Sequence, residues 1–400
     1  MRIIHTSDWH IGHLFNGRKR YDEFEKFFNW MTNTINELKV EVLIVSGDIF
    51  DTTSPSNKAQ EMYYNFLKSL TDTSCKMIVI SGGNHDSPTF LDAPKEVLKH
   101  LNVFVNGSIT QNIDDQIVNY KSEELELTIC NVPYLRDRDL RSNEFGESDD
   151  EKGQKIVKGI KNHYQLIYNR AKELYPESKI FMTGHLFCLG GKILEGDGVR
   201  DIYVGSIAGF DSSIFPSEAD YIALGHLHSS QKVGGNEKIR YSGSPLPMNF
   251  SESNIRKKIL VIDINQEMTI DEISVPIFKE IHRLRGDITE LISRLDSFGE
   301  NDCFVEVEYT GDGSISDLRL ALDKFSLDGK IDIVKIINKA FISDFNSNTL
   351  EFVSLEDITE EELFCRYIDE TDMSEDRKAK MRVLFTDVVK AVNENDLNAE

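Results

Sequence analysis

The chain has 400 residues, 40% of them apolar, and a formal net charge of −23. Its length suits two or three domains rather than one core, and no apolar run approaches the ~20 residues of a membrane span. The acidic balance excludes a chain that grips DNA over its whole surface, because phosphate contacts dominate such affinity. A nucleic-acid role therefore needs the acidic excess to lie away from the site, or a partner to supply the basic surface. The last fifty residues support the first option, with fifteen Asp and Glu against six Lys and Arg.

Arg2 to Thr6 reads as a strand. Tyr21 to Leu38 carries Phe24, Phe27, Phe28, Met31, Ile35 and Leu38 near helical spacing. Val42 to Ser46 is continuously apolar, as a buried strand is. Asn57 to Leu70 is again helical, and Lys76 to Ser81 is another buried strand. Strand, helix, strand, helix, strand predicts right-handed crossovers and a parallel sheet. A short helix over Asp92 to His100 follows, then a strand from Glu126 to Val132 that runs into Pro133-Tyr134-Leu135-Arg136. Asn143 to Gly153 reads as a polar loop, Lys155 to Leu174 as a helix and Lys179 to Thr183 as a strand. Asp220 to Leu224, Ile239 to Tyr241 and Lys258 to Ile264 complete a first domain over residues 1–275.

The texture then changes. Phe278 to Leu284, Ile288 to Phe298, Phe304 to Tyr309, Leu318 to Phe325 and Ile331 to Ile337 read as strand, helix, strand, helix, strand. This is a small α+β unit, residues 276–343, without a ligand-like cluster, and its plain reading is a cap domain. Asp344 to Asn348 is a polar linker. Residues 349–400 form a tail with two amphipathic helices, Leu355 to Phe364 and Arg377 to Val392. The five cysteines (Cys75, Cys130, Cys188, Cys303, Cys365) are scattered and without C-x-x-C spacing. That favours reduced thiols in a cytoplasmic protein, with Cys75, Cys130 and Cys303 in cores. The N-terminus enters Arg2-Ile3-Ile4-His5-Thr6 directly and lacks the long apolar stretch of a signal peptide.

Five short stretches carry metal-binding residue types, each at the end of a predicted strand. They are Asp8-Trp9-His10, Gly47-Asp48, Gly83-Asn84-His85-Asp86, Gly184-His185 and Gly225-His226-Leu227-His228. Taken singly, each has an ordinary reading as a turn, a capping loop or a core histidine. Taken together they point to one shared site, because ligands bind at strand ends in an open α/β sheet. Asp, Asn and His without thiolate suit Mn, Fe, Co or Zn better than an all-oxygen Mg or Ca cage. Asp48 has two carboxylate oxygens and can touch two ions, and open positions would remain for water and substrate.

The order of these stretches resembles the calcineurin-like metallophosphoesterase superfamily. The fuller text of His5 to Gly12, Ser46 to Thr52, Gly225 to His228 and Tyr241 to Pro245 is similar to one branch of it. That branch holds the nuclease subunits, SbcD, of bacterial SbcCD complexes; Pro133 to Arg136 and Val199 to Gly205 match it too. The resemblance covers about the first 250 residues and implies an α/β fold: a β-sandwich-type metallophosphoesterase core flanked by helices, then the α+β cap and the helical tail. It implies one ion held by Asp8, His10, Asp48 and His228, and another held by Asp48, Asn84, His185 and His226. His85 matches the catalytic histidine. Gly82-Gly83 departs from the single Gly that the branch leads one to expect. Asp51 stands where eukaryotic and archaeal relatives tend to carry a second histidine.

The function so implied is a metal-dependent DNA exonuclease and endonuclease acting on DNA ends and hairpins in replication, recombination and repair. Its cofactors would be two divalent ions, Mn²⁺ first, with Mg²⁺ or others as alternatives and no ATP site in this chain. Two ions about 3.5–4 Å apart activate water and clamp both in-line oxygens of a phosphodiester. His85 would stabilise developing charge or protonate the leaving 3′ oxygen, with a residue that only orients the ligands as the alternative reading. The implied assembly is a homodimer bound to two copies of the ATPase SbcC, without a membrane. The aromatic-rich helix Asn57 to Leu70 is a candidate dimer element, with Met62, Tyr63 and Phe66 as alternative core residues. The tail's apolar stripe is the candidate for docking on the SbcC coiled coil. Arg18-Lys19-Arg20, Arg136, Arg138 and Arg141 are candidates for holding substrate phosphates, against a plain reading as solvated charge. Two alternatives stay open: a phosphodiesterase for small substrates on the same site, and a non-catalytic scaffold that keeps metals as staples.

Overall fold

A computed structural model describes residues 1–123, 125–140, 149–191, 209–265, 267–299, 301–311 and 330–338, with isolated helical positions between 318 and 325 and between 368 and 385. Contacts divide the chain into two compact units, Met1–Ile337 and Asn338–Glu400. In chain order the first unit starts with β1 (Arg2–Thr6), a small ribbon of β2 (Leu14–Phe15) and β3 (Arg18–Lys19), and α1 (Tyr21–Leu38). Next come β4 (Val42–Ser46), α2 (Asn57–Leu70), β5 (Met77–Ser81), α3 (Pro88–Asp92), α4 (Lys95–Lys99) and β6 (Val103–Asn106). The second half of the core has β7 (Ile117–Lys121), β8 (Glu126–Cys130), α5 (Asp137–Leu140), α6 (Asp149–Leu174), β9 (Lys179–His185) and β10 (Tyr221–Gly225). It closes with β11 (Gln231–Val233), β12 (Asn236–Tyr241), β13 (Lys258–Ile264) and β14 (Met268–Ser274). The small unit after it has β15 (Glu280–Gly286), α7 (Ile288–Phe298), β16 (Cys303–Tyr309) and β17 (Ile331–Asn338).

The β-sandwich-type core is made of two six-stranded sheets, ordered β14-β13-β1-β4-β5-β6 and β11-β12-β10-β9-β8-β7, so the strand ends read as those of one open sheet belong to two. Strand alternation explains why both form. Ile3, Val42, Ile44, Met77 and Val79 on one face of the first sheet share a core with Leu127, Ile129, Phe181, Tyr221 and Ala223 of the second. Their neighbours Ile4, Leu43, Val45, Ile78 and Ile80 point the other way, into Phe24, Phe27, Phe28, Met31 and Ile35 of α1 and Met62, Phe66 and Leu67 of α2. Cys130, Ile180, Met182, Ile222 and Leu224 likewise meet Ile156, Ile160, Tyr164 and Ile167 of α6. The result is a helix–sheet–sheet–helix sandwich whose strands are apolar on both faces, as buried parallel strands must be.

Within it β1, β4, β5 and β6 are parallel, and so are β8, β9, β10 and β12. Each of the five candidate stretches therefore leaves the carboxyl end of a parallel strand. The three-stranded sheet β15-β16-β17 has its own core of Leu284, Leu291, Leu295, Val305, Val307 and Tyr309. Helix α7 opens with a capping box between Asp287 and Glu290.

Several local expectations change. The helix expected over Asp92 to His100 is the shorter α4, which starts only after Pro94, and a further helix, α3, precedes it and ends at Asp92, because proline has no N–H to continue a helical ladder. Helix α6 starts at Asp149 and takes in the end of the stretch read as a polar loop. Strands β6, β7, β11 and β14 are additions to the expected set; each is short or half-exposed, so its apolar signal is weak. In α2, Met62, Tyr63 and Phe66 are core residues, so those side chains do not form a dimer face. The motif over Val199 to Gly205, Arg141, Asp344 to Asn348 and the helix expected over Leu355 to Phe364 lie outside the described residues, as does most of Arg377 to Val392. Cys75, Cys130, Cys188 and Cys303 are buried free thiols.

Candidate metal centre

The loop after β1 is tied to the loop after β4 rung by rung. The Asp8, His10 and Ile11 amides donate to the Gly47, Asp48 and Ile49 carbonyls at 3.0, 3.0 and 2.9 Å. Asp8 (φ 51°), His10 (47°), Asp48 (50°) and His226 (103°) all hold the positive φ that side chains normally avoid. Such backbone persists only where its surroundings impose it. Those surroundings are close glycine contacts. A Cβ on Gly83 would lie 2.1 Å from Asp48 Oδ1 and 2.3 Å from its amide nitrogen, and one on Gly225 would lie 1.8 Å from the Ser46 carbonyl. The unexpected Gly82-Gly83 pair thus has a reason, since a Cβ on Gly82 would also lie 3.0 Å from Gly107 Cα.

Asp48 stands between two groups of histidines. Its Oδ2 is 3.1 Å from His185 Nε2 and 3.6 Å from His10 Nε2, and its Oδ1 accepts the His85 amide at 2.9 Å. Donor atoms of Asp8, His10 and His228 fall within 4.8 Å of one another, and so do those of Asp8, Asp48 and His185. Asn84 Oδ1 lies 2.9 Å from His185 Nε2, and the His226 ring lies 5.4 Å from that of His185. All seven candidate ligands therefore gather at the meeting point of the two sheets. Asp8, like Asp48, reaches both groups. Its Oδ1 accepts the His226 amide at 2.8 Å and its Oδ2 accepts from Ser7.

The charge pattern asks for cations. His185 Nδ1 donates to the Ser46 carbonyl at 3.0 Å, which aims Nε2 at the centre. Burial would lower the His185 pKa, but the Asp48 carboxylate overrides it and raises the value to about 9. Burial would raise Asp48; His185 beside it holds it well below the usual carboxylate range instead. Burial, and then the charge of His185, pushes His226 down to about 3, and burial also lowers His10. His10 Nε2 and His226 Nε2 are buried without a hydrogen-bond partner. Neutral imidazole nitrogens left unpaired next to carboxylates and an amide oxygen fit divalent transition ions.

His85 is exposed, and its ring lies 4.9 Å from that of His10. Its Nδ1 is 2.8 Å from the Asp51 carbonyl and must donate there, since a carbonyl only accepts. Asp86 is fully buried and accepts the amides of Gly83 (2.8 Å), Ile49 (3.1 Å) and Phe50 (3.0 Å), pinning the Asn84 loop to the Asp48 loop. Burial and the neighbouring Asp48 raise its pKa to about 6.

Sequence reasoning missed several supporting residues. The Asp51 carboxylate lies 3.3 Å from His10 Nδ1 and 3.1 Å from His13 Nδ1. Despite burial, the His10 and His13 rings beside it hold its pKa below the usual carboxylate range. Its position three residues after Asp48 was the available signal. Glu252 and Lys257 are buried behind His228, and nothing local in the sequence distinguishes them from solvated charges. The candidate phosphate contacts fare unevenly. Arg20 is buried and gives two guanidinium nitrogens to Glu23 at 2.7 Å, so it is structural. Arg18 pairs with Asp332 at 2.9 Å, and Arg136 donates to the Asp86 carbonyl at 3.1 Å.

Comparison with known proteins agrees with this geometry. Residues 1–230 match the family model described as calcineurin-like phosphoesterase, and residues 277–372 match the SbcD_C model, described as the type 5 capsule protein repressor C-terminal domain. The SbcD subunit of the SbcCD nuclease of Escherichia coli K12 is 31% identical over 394 residues, 96% of this chain and 97% of that one. The chain belongs to the SbcD family. The SbcD subunits of Rhodobacter capsulatus and Bacillus subtilis are 28% and 27% identical over 81% and 77% of this chain, and over 84% and 78% of their own lengths. As a member of that family the chain is a metal-dependent nuclease subunit. No helix among its described residues is long and apolar enough to cross a membrane.

Proposed function

We propose that the chain is the nuclease subunit of an SbcCD-type, ATP-dependent complex, a double-strand exonuclease and single-strand and hairpin endonuclease that processes DNA ends and hairpins in replication, recombination and repair. The observation that carries this reading is Asp48 placed between His10 and His185, with His10 Nε2 and His226 Nε2 buried without a hydrogen-bond partner. Asp8, His10, Asp48 and His228 would hold one ion, and Asp48, Asn84, His185 and His226 the other. Bound divalent ions, Mn²⁺ first, would supply Lewis acidity and an activated water for attack on the phosphodiester. The chain's own residues do the rest. Asp48 and Asp8 place negative charge between the histidines. Asp86 fixes the loop that carries Asn84 and His85. The Asp51 carbonyl holds His85 Nδ1–H and leaves Nε2 to meet the substrate, where it stabilises charge or protonates the leaving oxygen.

Residues 1–275 form the nuclease domain in this reading, 276–343 the cap and 349–400 the tail that docks on the coiled coil of an SbcC-type ATPase. The assembly is a cytoplasmic heterotetramer of two such subunits and two ATPases. One assay tests the function: blunt duplex and hairpin DNA with Mn²⁺ or Mg²⁺, with and without the ATPase partner and ATP. Cleavage of both substrates in Mn²⁺ is expected. Turnover of small phosphodiesters without cleavage of DNA ends would move the reading to a small-substrate phosphodiesterase, and no turnover at all to a scaffold.

A further inference from the structure

His228 is gripped from behind by a buried ion pair. Lys257 Nζ donates to the His228 carbonyl at 2.9 Å and to Ser244 Oγ at 2.8 Å, and pairs with the Glu252 carboxylate. Glu252 Oε1 lies 3.6 Å from His228 Nδ1, and Glu252 Oε2 also accepts the Met248 amide at 3.1 Å. Glu252 is fully buried and Lys257 is 6% exposed. A pair so deep gives little net stability, but it fixes what it touches, because losing either partner leaves a buried charge uncompensated.

The same segment faces the small domain. Phe250 opens the short turn that carries Glu252, and its ring lies 4.9 Å from that of Phe15. Phe15 follows His10 by five residues and stacks on Phe304 of β16 at 5.0 Å, with 19° between the planes. These three rings and Ile281 of β15 form a separate buried cluster. Arg18 to Asp332 adds an ion pair between the β2–β3 ribbon and β17. The segment that follows His10 and the turn that carries Glu252 behind His228 therefore meet in one cluster with the three-stranded sheet, Phe250 reaching Phe304 by way of Phe15. The loops that deliver Asn84 and His185 have no residue in that cluster, and on the loop shared by His226 and His228 the ion pair meets His228.

We propose that Phe15, Phe250 and Phe304, with the Glu252–Lys257 pair, form one positioning unit through which the small domain holds His10 and His228 in register. The small domain then sets the affinity of the Asp8–His10–His228 half of the centre and not of the other half. This rests on the metal-binding reading above. None of the five residues touches the reacting atoms.

The test is Mn²⁺ titration of the full chain by calorimetry, for the wild type, Phe304→Ala, Phe304→Leu and Glu252→Gln. The wild type should bind two ions. Phe304→Ala and Glu252→Gln should each weaken one site at least tenfold and leave the other, and Phe304→Leu should restore most of the loss. In a His228→Ala background, where that half is already crippled, Phe304→Ala should have no further effect on the remaining site. Two unchanged sites in Phe304→Ala, or equal weakening of both, overturns the proposal alone. A wild type that binds no Mn²⁺ overturns the metal-binding reading and the proposal with it.

Discussion

His185 Nε2 and Asp48 Oδ2 face each other at 3.1 Å across the junction of the two sheets. Without an ion the imidazolium proton supplies the positive charge that Asp48 requires, which is why the His185 pKa rises to about 9 despite burial. A raised folded pKa stabilises the metal-free chain fully below pH 6.5, and the contribution is lost as pH rises through about 9. An ion must displace that proton. Metal affinity at this half should therefore increase about tenfold per pH unit between pH 7 and 9, with proton release. Calorimetry in buffers of different ionisation enthalpy measures both; a flat profile would exclude the exchange.

Asp48 is within reach of both histidine groups, whereas His10 belongs to one. Asp48→Ala should weaken both ions together. His10→Ala should chiefly weaken one. Stoichiometry by calorimetry decides, and two tight sites in Asp48→Ala would contradict a bridging carboxylate.

His85 stays outside the buried ligand set and is held by a main-chain carbonyl. His85→Gln should keep the metal content while lowering the cleavage rate about 10²–10⁴-fold, the usual contribution of general acid–base catalysis. Normal cleavage by that variant in Mn²⁺ would remove the role assigned to His85.

Gly83 has no space for a side chain, because the atoms a Cβ would meet include the Asp48 backbone nitrogen at 2.3 Å. Gly83→Ala should cost about 1–3 kcal/mol, as overpacking does, and displace Asp48. A lower denaturation midpoint together with loss of Mn²⁺ binding is expected; an unchanged midpoint would mean that the loop yields freely.

The tail from Leu350 onward carries the apolar stripe assigned to partner docking. Deleting it should abolish association with the ATPase in a pull-down while metal binding persists. Unchanged association would place the docking surface elsewhere.

The strand ends and the residues after them are legible because buried parallel strands are short, apolar on both faces and closed by Gly. Val42 to Ser46 with Gly47-Asp48 is the clearest case. Arg20 defeats such a reading because a basic run of three looks solvated, and only the position of Glu23 and the Pro247 carbonyl shows it to be interior. Glu252 and Lys257 escape it for the converse reason: two opposite charges five apart in a loop carry no signal of burial.

The sequence by itself determined which donors exist and that each follows a strand, since the residue types and the local apolar period are properties of neighbouring residues. It also determined the family, through the order of those stretches. Only the tertiary structure decided which strands belong to which of the two sheets, that Asp8 reaches both histidine groups, and that Asp51, Asp86, Glu252 and Lys257 stand behind the ligands. Those relationships join residues as far apart as His226 and Asp8, 218 positions along the chain. Contacts at such separations leave no periodicity to read; packing alone brings them together.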